Sequence, residues 1–365
     1  MNFMASQLFA YEKKGDSAVI LRCFSRDGSV RIPERMDGLP VRELAPYAFS
    51  AHMEEKEWMD AFRRGDVRIA SSGQVEPQVS WENEDLADLP VLSGDQLESL
   101  ILPQTLRRVG RYCFYNCGHL RRLEFSGELF DWGSGAFSGC HRIEALCVRV
   151  RPDGSSGLKQ VLDELPESLQ VEFCAEEPET PGAAFRREEA ENAQNPAVYA
   201  RLAFPEFYEE GVENTPARIL ETHVHGTGIL YRNCFQGKKF DFVQYDVLFP
   251  YAQAQEAPSL LLRLVLDRLR APYHLEQRAR ETYEAYAREN AFLFGKYFLD
   301  TKDAQGLRWF LESVAAPLPD DAKAALADQL SEYAARREDA QATGRLMAFR
   351  REALPDSRRR KRLEL

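Results

Sequence analysis

A repeat interval of 23 residues constrains this chain more than any other feature of its sequence. Leu97, Leu120 and Ile143 stand 23 apart, as do Leu100, Leu123 and Leu146, and again Leu102, Phe125 and Val148. The same offset joins Leu106 to Leu129, Gly110 to Gly133, Cys113 to Ala136, Phe114 to Phe137 and Cys117 to Cys140. An L-x-x-L-x-L spacing puts apolar side chains on one side of a short strand and its lead-in turn. One such unit cannot enclose its own apolar face, whereas stacked units can, Leu over Leu and Phe over Phe. The interval therefore predicts a solenoid of parallel strands in 23-residue coils.

A degenerate coil precedes the clear ones: Val30-Arg-Ile-Pro33, Gly38-Leu39-Pro40-Val41 and Ala48-Phe49-Ser50. Pro33 lies 16 residues before Phe49, but Pro103 only 11 before Phe114, so the turn around Asp37-Gly38 must hold an insertion. Upstream, Phe9-Ala-Tyr11 and Ala18-Val-Ile-Leu21 flank Lys14-Gly15-Asp16, which reads as a hairpin capping the open end of the solenoid. From Met53 to Gln96, Glu-rich and Gly/Pro/Ser-rich sequence replaces repeats, leaving open whether a hidden coil lies there.

Three segments carry a family pattern: Ile101-Leu-Pro-Gln-Thr-Leu-Arg-Arg-Val-Gly110, Cys113-Phe-Tyr-Asn-Cys117 and Ala136-Phe-Ser-Gly-Cys140. They resemble the BspA-type leucine-rich repeat proteins of anaerobic bacteria, over roughly Phe9 to Phe173. The resemblance implies the repeat fold and a role in binding other proteins or host surfaces, without naming a target.

Beyond Phe173 the composition changes. Residues 176–198 are charged and Pro-containing and read as a linker. Residues 199–250 are expected to form a mixed α/β segment, with Ile219–His225 and Phe240–Phe249 alternating in the manner of strands. Residues 251–365 read as an α-helical hairpin domain. Leu260, Leu261, Leu264 and Leu269, then Tyr283, Tyr286, Phe292 and Phe294, recur at helix spacing. Asp320 or Asp321 is placed to cap a helix running to Tyr333, and a last helix carries Leu346, Met347 and Phe349. Asp300–Leu311 has an ankyrin-like rhythm without an ankyrin turn motif. The class expected is α+β, a short leucine-rich repeat solenoid over residues 1–175 followed by mixed and helical segments.

Charge and chemistry narrow the function. The balance of 58 Asp+Glu against 47 Lys+Arg argues against a nucleic-acid binder, which gains most of its affinity by neutralising phosphates. The tail Arg358–Arg362 is the basic exception and reads as a solubilising terminus. No apolar run approaches a membrane span. Met1–Gln7 lacks a charged region followed by an apolar one, which together with an odd count of 7 cysteines predicts a cytoplasmic protein with reduced thiols. No phosphate loop, nucleotide fingerprint or nucleophile elbow is present, so neither a cofactor nor an enzyme is expected.

Several constellations invite chemical readings. Cys113, Cys117, His119, Cys140, His141 and Cys147 are dense enough to suggest zinc, but Cys117 and Cys140 are equivalent ladder positions and close pairs such as C-x-x-C are missing. His223 and His225 share a strand face, with Asp241 and Asp246 downstream, and make the alternative polar site of an enzyme or ligand-binding module in residues 199–250. Cys234, near Arg232 and Lys238, could have a lowered thiol pKa, though a buried thiol is the simpler reading. Glu54-Glu55 and Glu176-Glu177 read as solvated carboxylates. The favoured function is a protein-interaction scaffold. Its candidate face consists of the strand residues between the ladder leucines, Ser99 and Ile101, Arg122 and Glu124, Ala145 and Cys147, all expected to point outward.

Overall fold

In the computed structural model the 23-residue interval is the step from one coil to the next. The structure describes residues 7–52, 66–71, 90–150, 154–175, 198–214 and 219–352. The expectations for Glu54-Glu55, the 176–198 linker with Glu176-Glu177, and Arg358–Arg362 concern residues outside those described, apart from Val198.

The strands follow in the order β1 (Leu8–Lys14), β2 (Ser17–Phe24), β3 (Ser29–Arg31), β4 (Arg35–Met36), β5 (Leu39–Leu44), β6 (Val67–Ser71), β7 (Ser99–Ile101), β8 (Arg108–Val109), β9 (Arg122–Ser126), β10 (Asp131–Trp132), β11 (Ala145–Arg149), β12 (Leu169–Cys174) and β13 (Val198–Phe204). They make two sheets, one ordered β3-β7-β9-β11-β12-β13 and the other β6-β1-β2-β5-β8-β10. The first three coils each give one strand to each sheet: β3 with β5, β7 with β8, β9 with β10. After β11 the helix α1 (Leu158–Glu164) stands where a strand of the second sheet would otherwise follow.

The apolar columns read from the sequence are the ladder. Val30 pairs with Leu100, Leu100 with Leu123, Leu123 with Leu146 and Leu146 with Val171, all in parallel register. Phe125, Val148 and Phe173 form the second column. All of these side chains are buried. Around the bend, the Phe49 and Phe114 rings lie 5.8 Å apart and Phe114 and Phe137 5.4 Å apart. Coils approach so closely here that a Cβ on Gly110 would sit 2.3 Å from Pro46 N, and one on Gly133 2.3 Å from Arg111 N. This is why the two glycines recur at the interval.

Of residues 53–96 only 66–71 and 90–96 are described, so whether a coil is hidden elsewhere in the segment lies outside the described residues, but none stands between coils one and two. Coil one stacks directly on coil two, through β3 on β7, β5 on β8 and Phe49 on Phe114. Within residues 53–96, β6 pairs antiparallel with β1 at the edge of the second sheet. The Lys14-Gly15-Asp16 turn joins β1 and β2 as a hairpin, with β2 antiparallel to β1 and parallel to β5. The extra residues near Asp37-Gly38 are the β4–β5 hairpin, whose turn holds both in the left-handed region, φ 47° and 77°.

Residues 199–250, expected as a separate segment, begin inside the solenoid. The strand β13 pairs antiparallel with β12 and closes the first sheet. A separate two-stranded ribbon follows, β14 (Tyr208–Asn214) with β15 (Ile219–His225), and then the helix α2 (Gly228–Arg232). The strand expected over 240–249 is instead mostly helical: α3 (Phe242–Val247) is followed by α4 (Phe249–Gln255). Two local facts decide it. Asp241 accepts the Gln244 amide at 2.9 Å as an N-cap, and Phe242, Tyr245 and Phe249 fall at helix spacing and are buried.

The chain divides into two compact units, the first covering residues 1–256 with 271–273 and the second the remainder. The second is helical: α5 (Pro258–Arg270), α6 (Gln277–Glu289), α7 (Ala291–Asp300), α8 (Ala304–Trp309), α9 (Asp320–Ala335) and α10 (Ala340–Glu352). Asp320 and Asp321 lie in the first turn of α9 after Pro319, which takes the cap position, so they act on the helix dipole rather than as caps. In the ankyrin-like stretch Asp303 caps α8, accepting Gly306 N at 2.7 Å and pairing with Arg270 at 2.8 Å. Burial opposes its ionisation, but these hydrogen bonds and the Arg270 charge hold its carboxyl below the ordinary range. A carboxyl depressed in the folded state stabilises above its unfolded pKa, about 3.9, and that contribution is lost as pH falls through the folded value. Wild type should therefore lose helicity on acidification below about pH 4 more steeply than Asp303→Asn, followed by circular dichroism. Parallel acid profiles would remove Asp303 from the account.

Candidate interaction surface

The side chains on the outer row of the first sheet are set by strand alternation. With Leu100, Leu123 and Leu146 turned inward, their neighbours turn out. Ser99 pairs with Arg122 and Arg122 with Ala145, while Ile101 pairs with Glu124 and Glu124 with Cys147. The structure thus places all six expected face residues in one array, but not at equal depth. Arg122 is exposed, and Ser99, Ile101 and Ala145 are half-buried. Glu124 and Cys147, expected to be open, are buried, 7% and 2% exposed.

Glu124 and Cys147 are closed over by a set of ion pairs. Arg149 grips Glu124 within the row. Glu172 on β12 takes Arg122 at 3.1 Å on one oxygen and Arg201 of β13 at 2.8 Å on the other. Glu172 and Arg201 were not among the expected face residues. They lie on either side of the expected domain boundary, and β12 follows β11 by 25 residues, since Leu146 pairs with Val171, so the 23-residue register does not reach them. At the other end the row is more open, with Ser29 and Arg31 exposed beside Ser99 and Ile101. The second sheet carries its own charged ladder, Lys14 to Glu43 at 2.8 Å, Glu43 to Arg108 at 3.7 Å and Arg108 to Asp131 at 3.3 Å. Such exposed pairs contribute little stability each.

The residues considered for zinc serve the coil. Cys117 donates its thiol to Phe49 O at 3.4 Å and Cys140 to Phe114 O at 3.0 Å, the same bond repeated one coil on. Burial pushes the Cys113 thiol far up and keeps it protonated. His119 pairs through Nδ1 with Asp95 O at 2.8 Å, and His141 with Glu167 at 2.7 Å. Cys147 lies on the opposite side of the sheet from the interior cysteines. Among the described residues no group of three or more His, Cys, Asp or Glu is arranged to hold a metal ion.

The four residues of the alternative polar site have separate local roles. His225 stacks on Tyr208 at 4.6 Å and contacts Glu210 at 3.1 Å, on the ribbon itself. His223 is exposed opposite Glu210 in the register. Asp241 caps α3 and accepts Gln236 Nε2 at 2.6 Å. Asp246 is buried within α3, and its charge acts on Tyr231. Cys234 is buried, and burial first, then Asp241 and Asp246, push its thiol up to about 12, the reverse of an activated thiol. The neighbouring cations are engaged elsewhere: Lys238 sits 4.2 Å over the Phe130 ring, and Arg232 binds backbone carbonyls.

Residues 91–151 match the family model described as BspA type Leucine rich repeat region, in six copies. No curated protein matches the chain. A solved structure, the T. pallidum Leucine Rich Repeat protein, is similar at 18% identity with a TM-score of 0.23, over 38% of this chain and 50% of that one. The chain thus spans about half the length of that protein. Among the described residues no helix is long and apolar enough to cross a membrane.

Proposed function

We propose that this chain, whose repeats are of the BspA type, is a non-enzymatic scaffold that recruits a protein partner through the outer face of its repeat sheet and a surface of its helical unit. The observation that carries this reading is the asymmetry of the outward row. Coils three to five tie their charges to one another, through Arg149 with Glu124 and Glu172 with Arg122 and Arg201. Coils one and two leave Ser29, Arg31, Ser99 and Ile101 at least partly open. Hydroxyls, a guanidinium and an aliphatic side chain on a rigid parallel sheet suit protein recognition. The acidic composition speaks against nucleic acid as the partner, and membrane is not part of the reading. All seven cysteines are free and buried, which suits a reducing compartment and supports a cytoplasmic reading.

The test is comparative capture from the native host, with wild type, the double variant Arg31→Glu/Ile101→Asp on the open end of the row and a second-sheet control, Arg108→Glu. The double variant should retain at most about a tenth of the partner recovered by wild type, since central contacts of an interface carry most of its energy. The control should capture as wild type does. Equal recovery by all three would remove the repeat face from the account, and loss by the control alone would move the surface to the second sheet.

A further inference from the structure

We infer that Cys147 and Cys174 are a reversible dithiol–disulfide couple that can tie coil four to coil five across the outer face of the repeat sheet. They belong to adjacent parallel strands, with Cys147 opposite Glu172 and Cys174 opposite Arg149, so the two thiols face each other diagonally on one side of the sheet. Their sulfurs approach to 2.6 Å. This is inside ordinary van der Waals contact between sulfurs and beyond the ~2.05 Å of a covalent bond. The interior repeat cysteines differ in kind, since Cys117 and Cys140 each donate to a carbonyl one coil back.

The surroundings favour the coupled state over separate reactivity. Cys147 is 2% and Cys174 1% exposed, so neither meets solvent freely. The hydrogen bond to Cys174, then burial, then the charges of Cys174, Glu124 and Glu172 hold the Cys147 thiol protonated in the closed structure. Reaction therefore begins by local opening. Cys174 is the last residue of β12 and stands at the register shift against β13, where parting the strands costs least.

The exchange balances with a low-molecular-weight disulfide such as oxidised glutathione. Cys174 loses its proton and attacks one sulfur of the reagent, releasing one reagent thiolate and leaving a mixed disulfide. Cys147 then loses its proton and displaces the second reagent thiolate, which forms the Cys147 Sγ–Cys174 Sγ bond. Two protein thiols are oxidised and one external disulfide is reduced to two thiols. An excess of reduced reagent runs both steps backwards.

The full chain, equilibrated natively in glutathione buffers from fully reduced to mostly oxidised, should be quenched in acid, denatured, alkylated and mapped by mass spectrometry. Before alkylation the expected product is two hydrogens lighter than the reduced chain, and after it Cys147 and Cys174 are linked while the other five cysteines are alkylated. It should return to the dithiol on re-reduction. Its melting temperature should exceed that of the reduced chain by on the order of 5 °C, because the bond closes a loop in the unfolded state. Cys147→Ser should abolish both the link and the shift. Because the primary readout uses wild type, a poorly folding variant does not decide the matter. The proposal is overturned if the pair stays alkylatable in buffers that fully oxidise a reference vicinal dithiol equilibrated beside it. It is equally overturned if the pair takes up only single glutathione adducts, or links only after urea has unfolded the chain.

Discussion

Replacing Phe114 with alanine should destabilise the repeat unit by about 3–5 kcal/mol, the range for emptying a close-packed aromatic site. Phe114 is fully buried between Phe49 and Phe137, with ring centroids 5.8 and 5.4 Å away. Its amide donates to Ala136 O at 3.0 Å and its carbonyl accepts the Cys140 thiol at 3.0 Å, so the backbone is held on both sides and cannot collapse into the space. A trapped cavity adds to the lost transfer energy, which is why the upper part of the range applies. Phe114→Leu, which keeps most of the volume, should cost less than about 2 kcal/mol. Phe292→Ala on α7, where the ring is 39% exposed, should cost under about 1 kcal/mol. Equilibrium urea unfolding followed by circular dichroism measures all three. Similar losses at Phe114 and Phe292 would mean that the ladder supplies no more than scattered apolar contacts do.

Phe114 is legible in the sequence because its partner recurs at a fixed offset. A stacked coil places identical demands at identical positions, so the sequence repeats residue types wherever geometry repeats. Gly110 and Gly133 recur for lack of room, Phe114 and Phe137 for stacking, and Cys117 and Cys140 for a bond to the preceding Phe carbonyl. The pattern fails where the geometry stops repeating. The step from Leu146 to Val171 is 25 residues, and β13 joins the sheet in the opposite direction, so neither Glu172 nor Arg201 carries a periodic signal. The depth of Glu124 follows from those two residues and Arg149, and reading the β9 strand alone makes it look open. In Phe240–Phe249, aromatic and β-branched residues suggest a strand at short range. One N-cap, Asp241 to Gln244, and the 3.6-residue spacing of Phe242, Tyr245 and Phe249 outweigh that preference.

The largest effect of a polar substitution is expected at Arg232, through a bond network that spacing alone does not reveal. Arg232 is 1% exposed, and its guanidinium reaches four carbonyls: Leu165 O from Nε at 3.0 Å and Nη2 at 2.8 Å, Glu167 O at 2.7 Å, Gly228 O at 3.2 Å, and Pro205 O. Those oxygens belong to the lead-in to β12, the start of α2 and the chain just past β13, so one side chain fastens the closing strand to the last coil. Phe207 and Phe204 lie under the charge, 5.1 and 5.9 Å from ring centroid to guanidinium carbon. Burial lowers its pKa to about 10, which still leaves it charged at neutral pH. Desolvating that charge is costly, and only the carbonyls offset it. Arg232→Met fills the volume but withdraws the guanidinium from all four carbonyls, so it should destabilise by about 3–5 kcal/mol. Arg232→Lys keeps the charge on a point donor that cannot span the fork, and should recover less than half of the loss. Hydrogen exchange separates this from general loosening: amides of β13 should lose protection first, while those of β7 and β9 keep theirs. If Arg232→Met were nearly neutral, the carbonyls would be finding water in its place, and the solenoid would close without this side chain.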